Sequence, residues 1–200
     1  MGVPVCRALS NEAGAMWNET SDGRPIPSSY WVVPGRFAAG EYPGAPFVES
    51  AKAKLRAMLR AGIDHFIDLT TPQDSLEPYA DIVMEEADQL GLAVGWERHS
   101  VVDGSIPRSP AQMAGILDAI DEALDEDRKV YVHCWGGVGR TGTVVGCWLV
   151  RHGHTGDEAL RMIADWWSTM PEAKRFFHPE SPETIAQHRY VRTWQEAAQD

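Results

Sequence analysis

An α/β fold, with a central, mostly parallel sheet flanked by helices, is what this sequence predicts. Three observations carry that expectation. Short apolar runs alternate along the chain with segments whose apolar residues recur at helical spacing. In one such pair, the run Val130–Val132 and the segment Val144, Val145, Trp148 and Leu149 are joined by a tight loop with three glycines. The chain has 200 residues, of which 44% are apolar, enough for one domain with a sizeable core.

Residues 1–28 mix Gly, Ser, Asn and Pro with little periodicity and read as an irregular N-terminal arm, with Trp17 as its one large anchor. Residues 29–200 read as a single domain without repeat or linker. Tyr30–Val33 and Arg36–Ala39 are short strands turned by Pro34-Gly35. A loop, 41–46, leads to a helix over 50–61 with Leu55, Met58 and Leu59 inward and Gly62 just past its end. Ile63–Leu69 is a strand, followed by the loop Thr71-Pro72-Gln73-Asp74. Pro78–Leu90 is a helix with Tyr79, Ile82, Val83 and Leu90 on one face, closed by Gly91. Leu92–Val102 contains a strand that runs into Asp103-Gly104-Ser105-Ile106-Pro107.

Ser109-Pro110-Ala111-Gln112 has the form of a capping box with proline at the first helical position. The helix it opens carries Met113, Ile116, Leu117, Ile120 and Leu124. The strand, glycine loop and helix around residue 134 come next. Thr155-Gly156-Asp157-Glu158 is a further capping box, ahead of a helix with Leu160, Ile163 and Trp167 inward. Ser181-Pro182 is read as the start of a last helix through Trp194.

Composition narrows the partners. The formal net charge is −11, which disfavours nucleic acid and an anionic membrane. No apolar run has the length of a membrane span, and the N-terminus lacks a charged start ahead of an apolar stretch, so neither a span nor a secretory leader is expected. Met1-Gly2 fits a myristoylation start poorly, since Cys6 stands where Ser or Thr is usual. Cys6, Cys134 and Cys147 leave one thiol over under any pairing, which points to a reducing, cytoplasmic setting. No His, Cys and carboxylate spacing resembles a metal site, and no cofactor is expected.

The glycine loop is where chemistry concentrates. A strand–loop–helix unit aims backbone N–H groups and a helix N-terminus at one point, which favours an anion. Cys134 opens that loop and Arg140 closes it. His133-Cys134, five residues, then Arg140-Thr141 resembles the signature of the cysteine-dependent protein tyrosine and dual-specificity phosphatases. The layout from about residue 30 to 195 resembles their compact, single-domain dual-specificity-like branch, including bacterial members.

The resemblance implies a protein tyrosine phosphatase-like fold for residues 29–200 and a role for each position. Cys134 would be the nucleophile of a cysteinyl-phosphate intermediate, and Thr141 would hydrogen-bond its sulfur. N–H groups of Trp135, Gly136, Gly137, Val138, Gly139 and Arg140 would ring the phosphoryl oxygens. The Arg140 guanidinium would hold two of them in a fork that a lysine could not reproduce. The same donors favour the thiolate, the reactive form. His133 would order the loop.

Asp103, on a Gly-containing loop with Pro107 four residues on, resembles the family's general acid, with Asp68 and Asp74 in reserve. The stretch Glu183–Tyr190 resembles the segment that positions water in the tyrosine-specific branch. Gln187 keeps one of its glutamines, while Glu183 replaces the other.

The substrate expected is a phosphorylated protein or peptide, above all at tyrosine and also at serine or threonine. Phosphoinositide phosphatases of the superfamily often carry lysines in this loop, and 135–139 has none. Three further readings stay open: a catalytically inactive phosphoprotein-binding module, a phosphoinositide phosphatase, and a rhodanese-like sulfurtransferase, whose loop usually lacks this glycine spacing. Tyr30 and Tyr42 are candidates to clamp an aromatic ring, and Arg108 to meet an acidic substrate residue. Trp135 faces either the core or the pocket rim. His99, His178 and His188 are surface or packing residues, Cys147 a buried small side chain, and Trp166, Trp167 and Trp194 core anchors.

Overall fold

The computed structural model describes residues 23–195. The readings that involve Met1-Gly2, Cys6 and Trp17 lie outside them. The elements are β1 (Ser29–Val33), β2 (Phe37–Gly40), α1 (Val48–Arg60), β3 (His65–Asp68), a 3-10 turn (Pro72–Asp74), α2 (Ala80–Gln89), β4 (Gly95–Arg98), α3 (Pro110–Asp125), β5 (Val130–His133), α4 (Gly139–Arg151), α5 (Gly156–Ser168), α6 (Glu172–Phe177) and α7 (Ile185–Thr193).

The sheet has the order β1-β2-β5-β3-β4, with β1 antiparallel to β2 and all other pairs parallel. This is the mixed, mostly parallel sheet the alternation predicted. Its strands alternate between two buried faces, as a sheet covered on both sides requires. Ala38, Phe66 and Tyr131 pack against Leu55, Met58 and Leu59 of α1, Val83 and Ala87 of α2, and Tyr79 just before α2. Phe37, Ala39, Ile67, Val130 and Val132 face the larger cluster built from α3, α4, α5 and α7.

The register sets the site. His133 pairs with Gly40 of β2 on one side and Asp68 of β3 on the other, so three strands end together at one edge of the sheet. The chain leaves that edge at Cys134, Glu41 and Leu69. Ligands collect beyond such carboxyl ends. From Gly139 to Leu149, every residue of α4 is buried. Burial on every side places this helix inside the protein, with Arg140, Thr141 and Thr143 as its buried polar residues, and fixes its N-terminus beneath the loop.

Several boundaries differ from the sequence reading, each for a local reason. Ser109 does cap α3, accepting from the Gln112 N–H at 3.1 Å, but Gln112 Oε1 takes the Arg108 N–H instead of closing the box. The last helix begins at Ile185, not at Pro182: Thr184 is its N-cap and completes a capping box with Gln187. Helix α6 was not anticipated. It has six residues and none of them is buried, so it offers no apolar periodicity to read. Among the described residues no helix is long and apolar enough to cross a membrane.

Candidate active site

The loop 134–138 is held from below by backbone. Tyr42 N–H donates to the Trp135 carbonyl at 2.8 Å, and Leu69 N–H to the His133 carbonyl at 2.9 Å. Gly137 adopts φ +70, and a Cβ there would lie 2.3 Å from the Gly40 carbonyl carbon, so only glycine lets the loop close on the end of β2. In the loop and cap hydrogen bonds of the described residues, no N–H from Trp135 to Thr141 is spent on a backbone carbonyl. Cys134, Trp135, Gly136, Val138 and Gly139 line a cavity of about 470 Å³ at the N-terminus of α4, a position that favours an anion.

His133 is fully buried, and both ring nitrogens are engaged. Nδ1 lies 3.1 Å from the Cys134 carbonyl and Nε2 lies 2.6 Å from the Tyr79 hydroxyl. A carbonyl can only accept, so Nδ1 carries the proton and Nε2 accepts from Tyr79. Burial pushes the imidazole down to about 4, against the pull of nearby Asp68. It is therefore neutral and fixes the loop through its backbone. Because the folded value lies below the unfolded one, near 6.5, the unfolded chain binds the proton first as pH falls. Stability is then lost between pH 6.5 and about 4, by roughly 3 kcal/mol from this group. Urea titrations across that range should show it, and His133→Gln should flatten the slope.

Arg140 is 1% exposed and stands among three acceptors. Nη1 meets Asp74 Oδ2 at 2.8 Å and the Val101 carbonyl at 3.1 Å. Nη2 meets Asp74 Oδ1 at 3.2 Å and Asp103 Oδ1 at 2.8 Å. Burial alone would raise the Asp74 carboxyl, but hydrogen bonds from Arg140 and from the Thr71 N–H bring it below the usual range. The reserve acids thus have other work. Asp74 braces the guanidinium. Asp68, wholly buried, accepts from Thr70 and from Arg98 at 2.8 Å. Two buried polar atoms of the site have no partner: Arg140 Nε and Thr141 Oγ1. A polar group left unpaired in a core is costly, and both belong to the segment that encloses the loop.

Asp103 lines the same cavity as Cys134, with its side chain 60% exposed. Gln187 is wholly buried and links three parts of the site. Its Oε1 accepts from the N–H groups of Glu183 and Thr184, and its Nε2 donates to the Ser105 carbonyl at 3.0 Å, two residues beyond Asp103. A Cβ on Gly139 would lie 2.8 Å from that amide. Gln187 thus caps α7 and fastens the Asp103 loop over the N-terminus of α4. The Thr184-x-x-Gln187 pattern is a capping-box signature legible in the sequence.

The outer wall differs most from expectation. Trp135 is exposed and stands on the rim between the Cys134 cavity and a second one of about 360 Å³, lining both. Pro171, Ala173, Lys174, Phe177 and His178, on or beside α6, form a wall the sequence did not suggest. Lys174 and Lys54 both bind Glu41, at 2.7 and 2.8 Å. His178 is partly exposed and lines the mouth, and its Nδ1 lies 3.0 Å from the Glu183 carboxylate, so that carboxylate does not stand bare.

Tyr30 and Tyr42 are not free to clamp a ring. Tyr30 stacks on Trp166 at 5.3 Å, and Tyr42 is wedged edge-on against Tyr79 and His133. Arg108 lines a separate cavity behind the Asp103 loop. Cys147 is completely buried, and burial pushes its thiol up. Trp167 and Trp194 are core residues, with Trp166 packed at the core's edge.

A family profile described as Swiss Army Knife protein, DSP-PTPase phosphatase domain (PTP-SAK), matches residues 27–191. The chain is 30% identical over 200 residues to protein tyrosine phosphatase domain-containing protein 1 of Mus musculus, an alignment that covers 93% of this chain and 24% of that protein. It thus spans about a quarter of that relative's length. Among solved structures, Tk-PTP in its active form is 26% identical with a TM-score of 0.61, over 82% of this chain and 94% of the other. Kinase associated phosphatase with its catalytic cysteine replaced by serine shares the fold, at 18% identity and a TM-score of 0.59, over 82% of this chain and 90% of the other.

Proposed function

This chain belongs to the DSP-PTPase phosphatase domain family described as PTP-SAK, and from that membership we propose that it hydrolyses phosphate monoesters on proteins, foremost phosphotyrosine, through a cysteinyl-phosphate. One observation supports the reading above the others. Unspent donors surround Cys134: the N–H groups of 135–141, the unpartnered Arg140 Nε and the unpartnered Thr141 hydroxyl. A phosphoryl dianion satisfies the first two, and a thiolate satisfies the third.

In the first step the Cys134 thiolate attacks phosphorus. The Sγ–P bond forms as the bond to the leaving oxygen breaks, and protonated Asp103 delivers its proton to that oxygen. In the second step water attacks phosphorus, the Sγ–P bond breaks, and the Asp103 carboxylate takes the proton from water. The Thr141 hydroxyl donates to the departing sulfur. Arg140 forks two equatorial oxygens throughout, so substrate must take the guanidinium from Asp103 while Asp74 keeps its aim. Gln187 holds the Asp103 loop. The compartment proposed is the cytoplasm, where glutathione and thioredoxin keep thiols reduced.

The test is release of phosphate from p-nitrophenyl phosphate in the presence of a chelator. Steady turnover supports the proposal, and a silent protein that still binds phosphopeptides would make it a binding module. A second expectation concerns Asp74. Asp74→Asn keeps the shape but loses the charge that orients Arg140, so kcat/KM should fall about tenfold, from hydrogen bonds to a charged group worth roughly 1.5–3 kcal/mol. Phosphate should inhibit that variant more weakly. Unchanged kinetics would dissociate Asp74 from the chemistry.

A further inference from the structure

A serine before a proline reads as a helix start, because a serine in that place spends its hydroxyl on the N–H groups of its own helix. Ser181 does otherwise. Helix α7 begins only at Ile185 and is capped by Thr184, which leaves the Ser181 hydroxyl for another partner. Ser181 is 3% exposed, and its hydroxyl donates to the Val138 carbonyl at 2.9 Å. The contact is tight. A Cβ on Gly142 would lie 2.5 Å from Ser181 Oγ and 3.2 Å from the Pro182 nitrogen.

Val138 ends the glycine loop and stands at the N-cap of α4. Its carbonyl accepts the Gly142 N–H at 3.1 Å, and Ser181 supplies a second donor. The peptide that joins Val138 to Gly139 is planar, so its C=O and N–H point in opposite directions. The carbonyl faces into the helix, toward Gly142 and Ser181. The Gly139 N–H therefore faces out of the helix N-terminus, where Gly139 and Cys134 line one cavity. No side chain caps α4, and among the loop and cap hydrogen bonds of the described residues no carbonyl takes that N–H. Whatever holds the Val138 carbonyl thus aims a donor at the position of the anion.

We propose that Ser181 is a positioning residue of the phosphate cradle: its hydroxyl fixes the 138–139 peptide so that the Gly139 N–H meets a phosphoryl oxygen. Ser181 is not among the residues that line the Cys134 cavity, and it acts through Val138. Gly142 belongs to the same device. A helix interior favours alanine over glycine, but a methyl group at 142 would push the hydroxyl off its carbonyl. The inference deepens the phosphatase reading and rests on it.

A double-mutant cycle of Ser181→Ala and Gly142→Ala in the full chain tests it. The readouts are kcat/KM on p-nitrophenyl phosphate and on a phosphotyrosine peptide, and the affinity for orthovanadate by calorimetry. Each single variant should lose about tenfold in kcat/KM and a similar factor in vanadate affinity, since a misaimed donor costs less than a deleted one. The loss should be equal on the two substrates, because the donor serves the phosphoryl group and not the leaving oxygen. The double variant should be no worse than Ser181→Ala alone, as two routes to one broken contact do not add. Unchanged vanadate affinity in Ser181→Ala, or losses that add, would overturn the inference. So would a much larger loss on phosphotyrosine, which would route the effect through the Asp103 loop that Gln187 holds. Should Ser181→Ala fail to fold, Gly142→Ala decides alone: it places the better helix former in α4, and full vanadate affinity there would overturn the inference. A parent protein that binds vanadate but turns nothing over would remove the phosphatase reading, and the calorimetric cycle would still decide the role of Ser181. A parent that does neither would remove both.

Discussion

Cys134→Ser is expected to lower turnover of p-nitrophenyl phosphate by at least about 10⁴-fold and leave the protein folded. The thiol is 3% exposed at the focus of the loop's donors, and the replacement is nearly isosteric, so packing changes little. What is lost is the nucleophile, because a serine hydroxyl does not ionise under the same field to a useful extent. Cys147 cannot substitute: it lies wholly buried within α4, and burial disfavours its thiolate. The variant should still bind phosphotyrosine peptides, since Arg140 and the N–H groups remain. Rapid quench of the parent protein followed by mass spectrometry should place one phosphoryl group on the peptide that contains residue 134. Turnover that survives in the serine variant, or a phosphoryl group found elsewhere, would end the cysteinyl-phosphate mechanism.

The parts of this site that could be read in the sequence are those the chain brings together over a few residues. His133 through Thr141 form one strand end, one loop and one helix start, so residue types and spacing alone describe the cradle. The sheet was legible for a related reason: both faces are buried, so its strands read as short apolar runs, and such runs between amphipathic helices allow few other arrangements. The outer wall was not legible. Helix α6 has no buried face, so its residues carry no periodic signal, yet Lys174 and Phe177 reach the mouth. Tyr30 and Tyr42 show the opposite error. Aromatic residues near a site look available until their neighbours, Trp166 in one case and Tyr79 and His133 in the other, are known.

Asp74 and Gln187 illustrate a further limit. In the sequence, Asp74 is a loop carboxylate and so a candidate acid. In the fold both its oxygens are committed to Arg140, which lies far along the chain but directly above it in space. Gln187 lies in a segment that resembles a water-positioning motif, and its amide ties α7 to the loop beyond Asp103, a contact the motif does not announce. Pairings between distant segments depend on register, and a single sequence carries register only weakly.

Asp103→Asn is the second large effect, and its dependence on leaving group is the informative part. With phosphotyrosine, whose leaving oxygen is strongly basic, loss of the proton donor should cost about 10³-fold in kcat. With p-nitrophenyl phosphate the leaving group departs without much help, and the cost should be nearer tenfold. The same substitution acts on the resting enzyme in the other direction. Asp103 Oδ1 sits 2.8 Å from Arg140 Nη2, so a bound anion must displace it. An ion pair with a partner this exposed is worth about 1 kcal/mol at most. Removal of the carboxylate should therefore tighten inhibition by phosphate by no more than about fivefold. The two halves separate the roles. Equal losses on both leaving groups would mean that Asp103 serves only to place Arg140. A steep dependence with unchanged phosphate inhibition would mean that it donates the proton but does not compete with substrate. If neither parameter moved, the donor would have to be another group at the mouth, and Glu183, which lines the same cavity and pairs with His178 rather than with an arginine or lysine, would be tested next.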